Sequence, residues 1–495
     1  MMRPANDSAQ VRSPVPSAQG GRSAGLPDNF LIAMELPLRR PVQLAMNTWR
    51  FLAALSLLTG GLYASPPPAI EQAMPERLLP QLDGVLKGAV QQSPRMLNRA
   101  LDLEIAENNR IQAHANLLPS IGGNFSYYQA SDDRADLSGR QNVTKIAYNF
   151  SVTQPIFHWG ERRNNDRIGE IQLQMSKGAY RDGYRMLAQE LRNTYMHLVV
   201  QKLGVKRARF YLDFANNQLK QQEERLAKKV ISEVEISAAR LNAEQAQISL
   251  ERAEYDLVNA KASFARLAGR PVLEDDAIPD EIPATTYAAD AFDQLLAGFL
   301  AQKDPVSLEA YNLRHQLEIE NLNYANTKTR LRPKFNAVLG TSQDEQSYSI
   351  NVANKYKVNS IYGGISVSWS IFDGFSTGAA VRNELARRRQ LENDYHQLTE
   401  RLAQDAQTQV KQINFSARNM AIYDRFLVAG AGYLQTVRND FQRGAKSEMD
   451  VSQAQLNLFD AQINAANARS DFLYKVGDFL GLVMDDPVLA NLAEK

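Results

Sequence analysis

The 495-residue chain has no cysteine, only five histidines and only three tryptophans. The missing thiols exclude structural disulfides, thiolate zinc sites, iron–sulfur clusters, cysteine nucleophiles and a lipidated N-terminal cysteine. An excess of one charge is missing too. With 56 basic residues against 55 acidic ones, there is no broadly basic surface for nucleic acid. Past position 64 no segment approaches the ~18 continuous apolar residues of a membrane-spanning helix. Motifs of covalent chemistry are absent: no His-Glu-x-x-His, no phosphate-cradling Gly-Lys loop and no Gly-x-Ser-x-Gly. Gly430-Ala431-Gly432 begins a Gly-x-Gly, but Gln435 stands where a third glycine belongs. His315 and Glu318 have a helical spacing that can bind metal; with no second such pair they read as solvated side chains. No enzyme, metal site or cofactor is expected.

What is present begins with a leader. Residues 1–30 are rich in Pro, Ser, Ala, Gly and Gln and cannot build a core. Met46-Asn-Thr-Trp-Arg50 followed by the apolar run Phe51–Leu62 reads as a secretory signal, with the mature chain expected to begin near Ser65. Residues 1–64 carry six Arg against three Asp/Glu, so the rest of the chain is mildly acidic.

The remainder is written twice. Leu118-Pro119-Ser120-Ile121 is answered by Arg332-Pro333-Lys334-Phe335, and Gln154-Pro155-Ile156-Phe157-His158-Trp159-Gly160 by Trp369-Ser370-Ile371-Phe372-Asp373-Gly374. Ser232, Glu233, Glu235, Ser237, Ala239, Leu241, Asn242, Ala246, Gln247 and Ile248 all recur at one offset, Ser232 at Ser447 through Ile248 at Ile463. The organisation expected is a leader over 1–64, a first repeat over 65–268, a Pro-broken linker over 269–302, a second repeat over 303–482 and a tail over 483–495.

Each copy reads helix, strand, strand, very long helix, helix. The first helices are expected over Pro94–Leu118 and Pro305–Leu331, with Ser93-Pro94 and Asp304-Pro305 as N-cap and first-turn proline. The long, proline-free stretches Arg162–Leu226 and Thr377–Asp440 correspond to roughly 98 Å of helix each. The following helices, Ser232–Leu267 and Ser447–Leu480, carry a seven-residue apolar spacing, Leu241, Ile248, Tyr255 and Ala262, echoed by Leu456 and Ile463, with alanines allowing close approach.

The extended segments alternate. Ile146, Tyr148, Phe150 and Val152 oppose Lys145, Ala147, Asn149, Ser151 and Thr153; Ile361, Ile365, Val367, Trp369 and Ile371 oppose Tyr362, Ser366, Ser368 and Ser370. This suits membrane β-barrel strands, apolar outward and polar inward. Tyr127, Tyr128, Tyr148, Phe157, His158-Trp159, Trp369 and Phe372 fall where interfacial aromatics belong. The polar linkers Gln129–Asn142 and Ser342–Lys357 read as long outer loops. Four strands cannot close, and open edges are not tolerated in hydrocarbon. Three chains would supply twelve strands.

With these residues the chain resembles the TolC family of outer-membrane ducts. The resemblance rests on Val152-Thr-Gln-Pro-Ile-Phe157 through Gly160, on Trp369-Ser-Ile-Phe-Asp-Gly374, on Gly444-x5-Asp450-Val-x2-Ala454 and on the duplicated element order from Ser93 to Leu482. It implies an α+β membrane protein: a homotrimeric 12-stranded β-barrel in the outer membrane of a Gram-negative-type bacterium, continuous with a long α-helical coiled-coil barrel in the periplasm. The implied partners are outer membrane lipid, a periplasmic adaptor and an inner-membrane pump of the RND or ABC type. Export of small molecules and type I protein secretion both stay open. The resemblance places barrel–helix junctions at Pro155, Phe157, Gly160, Phe372 and Gly374.

It places a pore constriction at Asp450, with Gln453 where the family carries a second aspartate. A gate latch falls on Glu235, Phe441 and Lys446; Phe441 lacks the family's tyrosine hydroxyl, and Lys446 replaces its arginine fork. The first tip reads Lys228-Lys229-Val230 and lacks the family's glycine. Read without the resemblance, Asp450 and Glu235 are solvated charges on a helix face. The rival reading of the whole chain is a periplasmic structural coiled-coil protein without channel activity.

Overall fold

The computed structural model describes residues 70, 74–132, 140–302, 304, 306–347 and 355–492. The signal segment Phe51–Leu62 and the expected cleavage near Ser65 lie outside them.

The order of elements is α1 (Pro75–Leu78), α2 (Pro80–Gln92), α3 (Pro94–Ala115), β1 (Ser120–Asp132), β2 (Gln141–Phe157), α4 (Glu161–Ala227) and α5 (Glu233–Ala268). A 3-10 turn (Asp275–Ala277) and α6 (Ala289–Ala301) precede the second copy. That copy is α7 (Leu308–Lys328), β3 (Lys334–Ser347), β4 (Lys355–Ser368), α8 (Ser376–Gln442) and α9 (Glu448–Leu482), followed by a 3-10 turn (Pro487–Asn491). Helices α4 and α8 have 67 residues each, about 100 Å of rod. No proline or uncapped break interrupts them, and the offset of 215 residues, Glu161 to Ser376, holds along their whole length.

The four strands form one antiparallel sheet in the order β1-β2-β3-β4. Register puts Ile121 opposite Val152, Phe125 opposite Tyr148, Val152 opposite Leu339 and Ala337 opposite Ile365, so the apolar residues of all four strands share one face. Ser151, Gly340, Asn336, Tyr362 and Ser366 take the other face. Ile121, Phe125, Ile361 and Ile365 are each more than half exposed. A soluble sheet would bury that face.

Several boundaries differ from expectation. The ladder runs on to the Asp132–Gln141 and Ser347–Lys355 pairs, so much of the presumed outer loops is strand, and only 133–139 and 348–354 fall outside the described residues. Trp369 and Ile371 lie beyond the end of β4. Helix α7 starts at Leu308, not Pro305: Ser307, not Asp304, caps it, accepting from the Ala310 amide at 3.0 Å. Ser93 precedes Pro94 as expected, but its hydroxyl donates to the Leu267 carbonyl at 2.8 Å instead of capping α3.

Helices α2 and α6 were not anticipated. Leu82, Val85, Leu86 and Ala89, and Phe292 with Phe299, bury into the core around the middle of the long rods. There they meet Leu187, Leu191 and Val199 of α4, Leu402, Val410 and Ile413 of α8, and Phe472 and Phe479 of α9.

The coiled-coil seam also differs. The α4–α5 hairpin buries Ile236, Ala243, Leu250, Leu257 and Phe264, a seven-residue repeat with Ala246 between its turns. Leu241, Ile248 and Tyr255 sit on another face and are about two-thirds exposed. Their second-copy counterpart Leu456 is buried, because α9 packs on α4 as well as on α8. Phe210 meets Phe459 at a tilt with ring centroids 5.6 Å apart, and Arg207 meets Asp460 at 2.5 Å across that seam. The rods therefore lie in the order α5, α4, α9, α8.

Candidate functional site

The helix tips repeat one another. At the first, the Val230 amide bonds the Arg225 carbonyl and the Lys229 amide the Leu226 carbonyl; at the second, Ala445 bonds Asp440 and Gly444 bonds Phe441. Both are the paired bonds of a Schellman turn, which needs a left-handed residue after the helix. Gly444 supplies it at φ 76°, Lys229 at φ 57°. The missing glycine therefore changes the strain of the first tip but not its shape.

A capping box follows each turn. Ser232 accepts from the Glu235 amide at 3.4 Å while Glu235 Oε2 accepts from the Ser232 amide at 2.6 Å. Ser447 and Asp450 do the same at 3.2 and 2.8 Å. The two carboxylates are thus the same structural position in two copies, each satisfying an otherwise orphaned amide at a helix N-terminus. The backbone bond to Ser447, the Ser447 hydroxyl and then Lys446 hold the Asp450 carboxyl below its usual range; Glu235 is lowered by Ser232 first and Arg225 last.

Asp450 uses Oδ2 for the cap, which leaves Oδ1 turned outward, 4.0 Å from Lys446 Nζ. Lys446 thus faces Asp450 of its own helix start, and Glu235 faces Ser232. Gln453 is exposed and donates to Asn457 at 3.2 Å; Phe441 is about half exposed.

At the junctions, two consecutive residues adopt left-handed backbone in each copy: Trp159 and Gly160 before α4, Gly374 and Phe375 before α8. The chain reverses from strand to rod there. The β2–β3 register slips between Pro155 and Phe157, since proline offers no ladder donor. Phe157 meets Trp159 edge-on at 4.8 Å and Phe335 at a tilt at 6.5 Å; Phe372 meets Phe375 edge-on at 5.4 Å. His158, expected beside Trp159 in an interfacial aromatic cluster, is buried between Asn336 at 2.8 Å and Arg162 at 3.3 Å. Asp373 caps α8 through the Thr377 amide at 2.9 Å.

Sequence reasoning missed one site. Arg192 lies on the apolar face of α4 between Leu191 and Tyr195, fully buried, with Asp486 at 2.7 Å on one side and Glu76 at 2.5 Å on the other. The signal was an arginine inside an otherwise apolar helical face. Among the described residues no group of three or more His, Asp or Glu gathers as a metal site. His315 lies 3.7 Å from Glu318, which pairs with Arg167.

The sequence profile of the outer membrane efflux proteins matches residues 85–270 and 311–475, one match per repeat. No curated protein sequence matches the chain. Among solved structures, the CmeC outer membrane channel of Campylobacter jejuni is similar with a TM-score of 0.61 at 13% identity, covering 81% of this chain and 85% of its own. The outer membrane protein VceC of Vibrio cholerae gives 0.58 at 17% identity, over 84% and 98% of the two chains. The MtrE outer membrane channel of Neisseria gonorrhoeae gives 0.57 at 14% identity, over 82% and 89%. With a duplicated profile over most of its length and the fold of these channels, the chain belongs to the outer membrane efflux protein family.

Proposed function

We propose that the protein is the outer-membrane duct of a tripartite efflux or type I secretion system, assembled as a homotrimer and passive in itself. It needs no cofactor and performs no covalent chemistry; a periplasmic adaptor and an inner-membrane pump of the RND or ABC type supply drive and substrate.

One observation carries this reading: at every level the chain ends in one first-copy element and one second-copy element. The sheet ends in β1 and β4. Near the junctions α3 flanks α4 and α7 flanks α8, leaving Leu97, Leu101 and Ile105 of α3 more than half exposed. Below, the row ends in α5 and α8. Helix α5 exposes Val234, Leu241, Ile248 and Tyr255; α8 exposes Phe415, Phe426 and Tyr433. At each level one end belongs to the first copy and the other to the second. A single rotation joining first-copy ends to second-copy ends of the next chain closes sheet and rods together. Three copies give twelve strands, an even antiparallel barrel within the size range of outer-membrane proteins.

The internal repeat names the contacts of that joint. The α4–α9 seam inside the chain contains Arg207–Asp460 and Phe210–Phe459. The repeat-equivalent positions on the open faces are Ile422 with Gln245, and Arg425 with Glu244, the latter of opposite charge. All four are exposed in the single chain.

In the closed ring Asp450 recurs three times around one axis, a cation-favouring constriction with Gln453 about one turn farther from the tip. Glu235, Phe441 and Lys446 are proposed to meet between neighbouring tips as a weak latch, worth about 0–1 kcal/mol for an exposed Lys–Glu pair. A periplasmic structural coiled coil would not need a sheet with an exposed apolar face. The test is purification from outer-membrane fractions. A heat-modifiable, SDS-resistant trimer that conducts ions in planar bilayers is expected; a monomer without conductance would end the proposal.

A further inference from the structure

The periplasmic rim of the sheet carries an arrangement that the duct reading does not use. Phe335 lies on the apolar face at the end of β3, opposite Phe157 in register. From there an aromatic ladder runs downward, Phe335 to Phe157 to Trp159, and ends under the Arg332 guanidinium, 4.7 Å above the Trp159 ring. The Trp159 indole is fixed by donating to the Pro333 carbonyl at 2.8 Å, and the Trp369 indole by donating to the Leu331 carbonyl at 2.9 Å. Two tryptophans thus grip the short segment 331–333 from either side and hold Arg332 at the border of the apolar face.

The neighbouring cations are already engaged. Lys334 pairs with Glu161 at 2.6 Å, and Arg162 donates to His158 and Asn116. Arg330 lends its field to Asp373, whose carboxylate is held by Thr377. Arg332 is exposed, and among the described residues no carboxylate pairs with it.

We infer that Arg332, stacked on Trp159 and flanked by Trp369, is a headgroup site for an anionic phospholipid of the periplasmic leaflet. The inference rests on the reading of the sheet as a membrane barrel. The charge is complementary to a lipid phosphate, the guanidinium fork matches its oxygens, and the aromatic ladder leading from it onto the apolar face of the sheet lies along the acyl chains. One basic residue at such a surface enriches anionic lipid about fivefold.

The test uses the full-length protein with Trp49→Phe, so that Trp159 and Trp369, both at the site, are its only tryptophans. It is reconstituted into vesicles of phosphatidylethanolamine with phosphatidylglycerol as the minor component. Bromine is carried on the chains of one lipid or the other at equal total mole fraction. Quenching by brominated phosphatidylglycerol several-fold above that by brominated phosphatidylethanolamine, reduced toward equality in Arg332→Gln, is the expected result. Equal quenching by the two lipids, or an excess unchanged in Arg332→Gln, overturns the site while leaving the barrel intact. An excess abolished by inorganic phosphate overturns it too, by showing a simple anion site. No quenching by either lipid overturns the barrel reading itself.

Discussion

Arg192 and Asp486 face each other at 2.7 Å across 294 residues of sequence, both buried, and join the tail of the chain to the middle of its first long rod. Glu76 completes the clasp from the N-terminal side. Asp485, beside it, is pushed up to about 6 by burial and then by the Asp486 charge. A buried pair of this kind adds little net stability compared with an apolar substitute, but removing Asp486 leaves Arg192 Nη1 buried without its acceptor and Glu76 as the one remaining counter-charge. Asp486→Ala should therefore cost about 3–5 kcal/mol in chemical denaturation. A loss below about 1 kcal/mol would show that the clasp is slack.

Lys229 and Gly444 occupy the same left-handed position in the two tips, and only glycine does so without steric cost. Lys229→Gly should relieve about 1 kcal/mol of local strain, and Gly444→Lys should add as much. Amide exchange at Val230 and Ala445 reads this directly, since these amides close the two turns. Slower exchange at Val230 in the first variant and faster exchange at Ala445 in the second are expected.

Glu320 of α7 is buried against Glu384 of α8, with Asn323 and Arg387 nearby. Burial, then the hydrogen bond and charge of Glu384, push its carboxyl up from 4.5 to about 7. The native state therefore holds a proton that the unfolded chain has released. Its contribution is fully present below about pH 4.5 and is lost as pH rises through about 7. Glu320→Gln should flatten the fall in melting temperature as pH rises from 4.5 to about 7. An identical pH slope in the variant would contradict the shared proton.

Asp450 has two jobs that substitutions can separate. Asp450→Asn keeps an oxygen for the Ser447 amide but removes the charge; Ser447→Ala keeps the charge but breaks the reciprocal cap. Block of single channels by multivalent cations added from the tip side should weaken in Asp450→Asn and persist in Ser447→Ala. Block lost equally in both would assign Asp450 to capping alone.

Much of this fold was legible in the sequence. The repeat, the proline-free rods and the alternation of Ile146 through Val152 are local patterns with one period each. Ser232-x-x-Glu235 and Ser447-x-x-Asp450 are legible as capping boxes from spacing alone. The choice of seam was not. Helix α5 carries two apolar stripes of equal period, and the sequence does not say which meets α4 and which meets another chain. The clasp was illegible for a different reason: Glu76 and Asp486 lie 116 and 294 residues from Arg192, and no local pattern links them. Helices α2 and α6 did carry a helical period, at Leu82, Val85, Leu86 and Ala89 and at Phe292 and Phe299, but for α6 the prolines Pro271, Pro279 and Pro283 made the linker read as irregular chain.

The central claim is that the open face of α5 closes on α8 of the next copy. Because the native chain has no cysteine, Glu244→Cys and Arg425→Cys can be introduced together without side reactions and bridged in intact cells by a short bismaleimide. The expected product is a covalent trimer on a denaturing gel, with each single substitution remaining monomeric. Monomer alone from the double variant, or a ladder running past three, would contradict the ring.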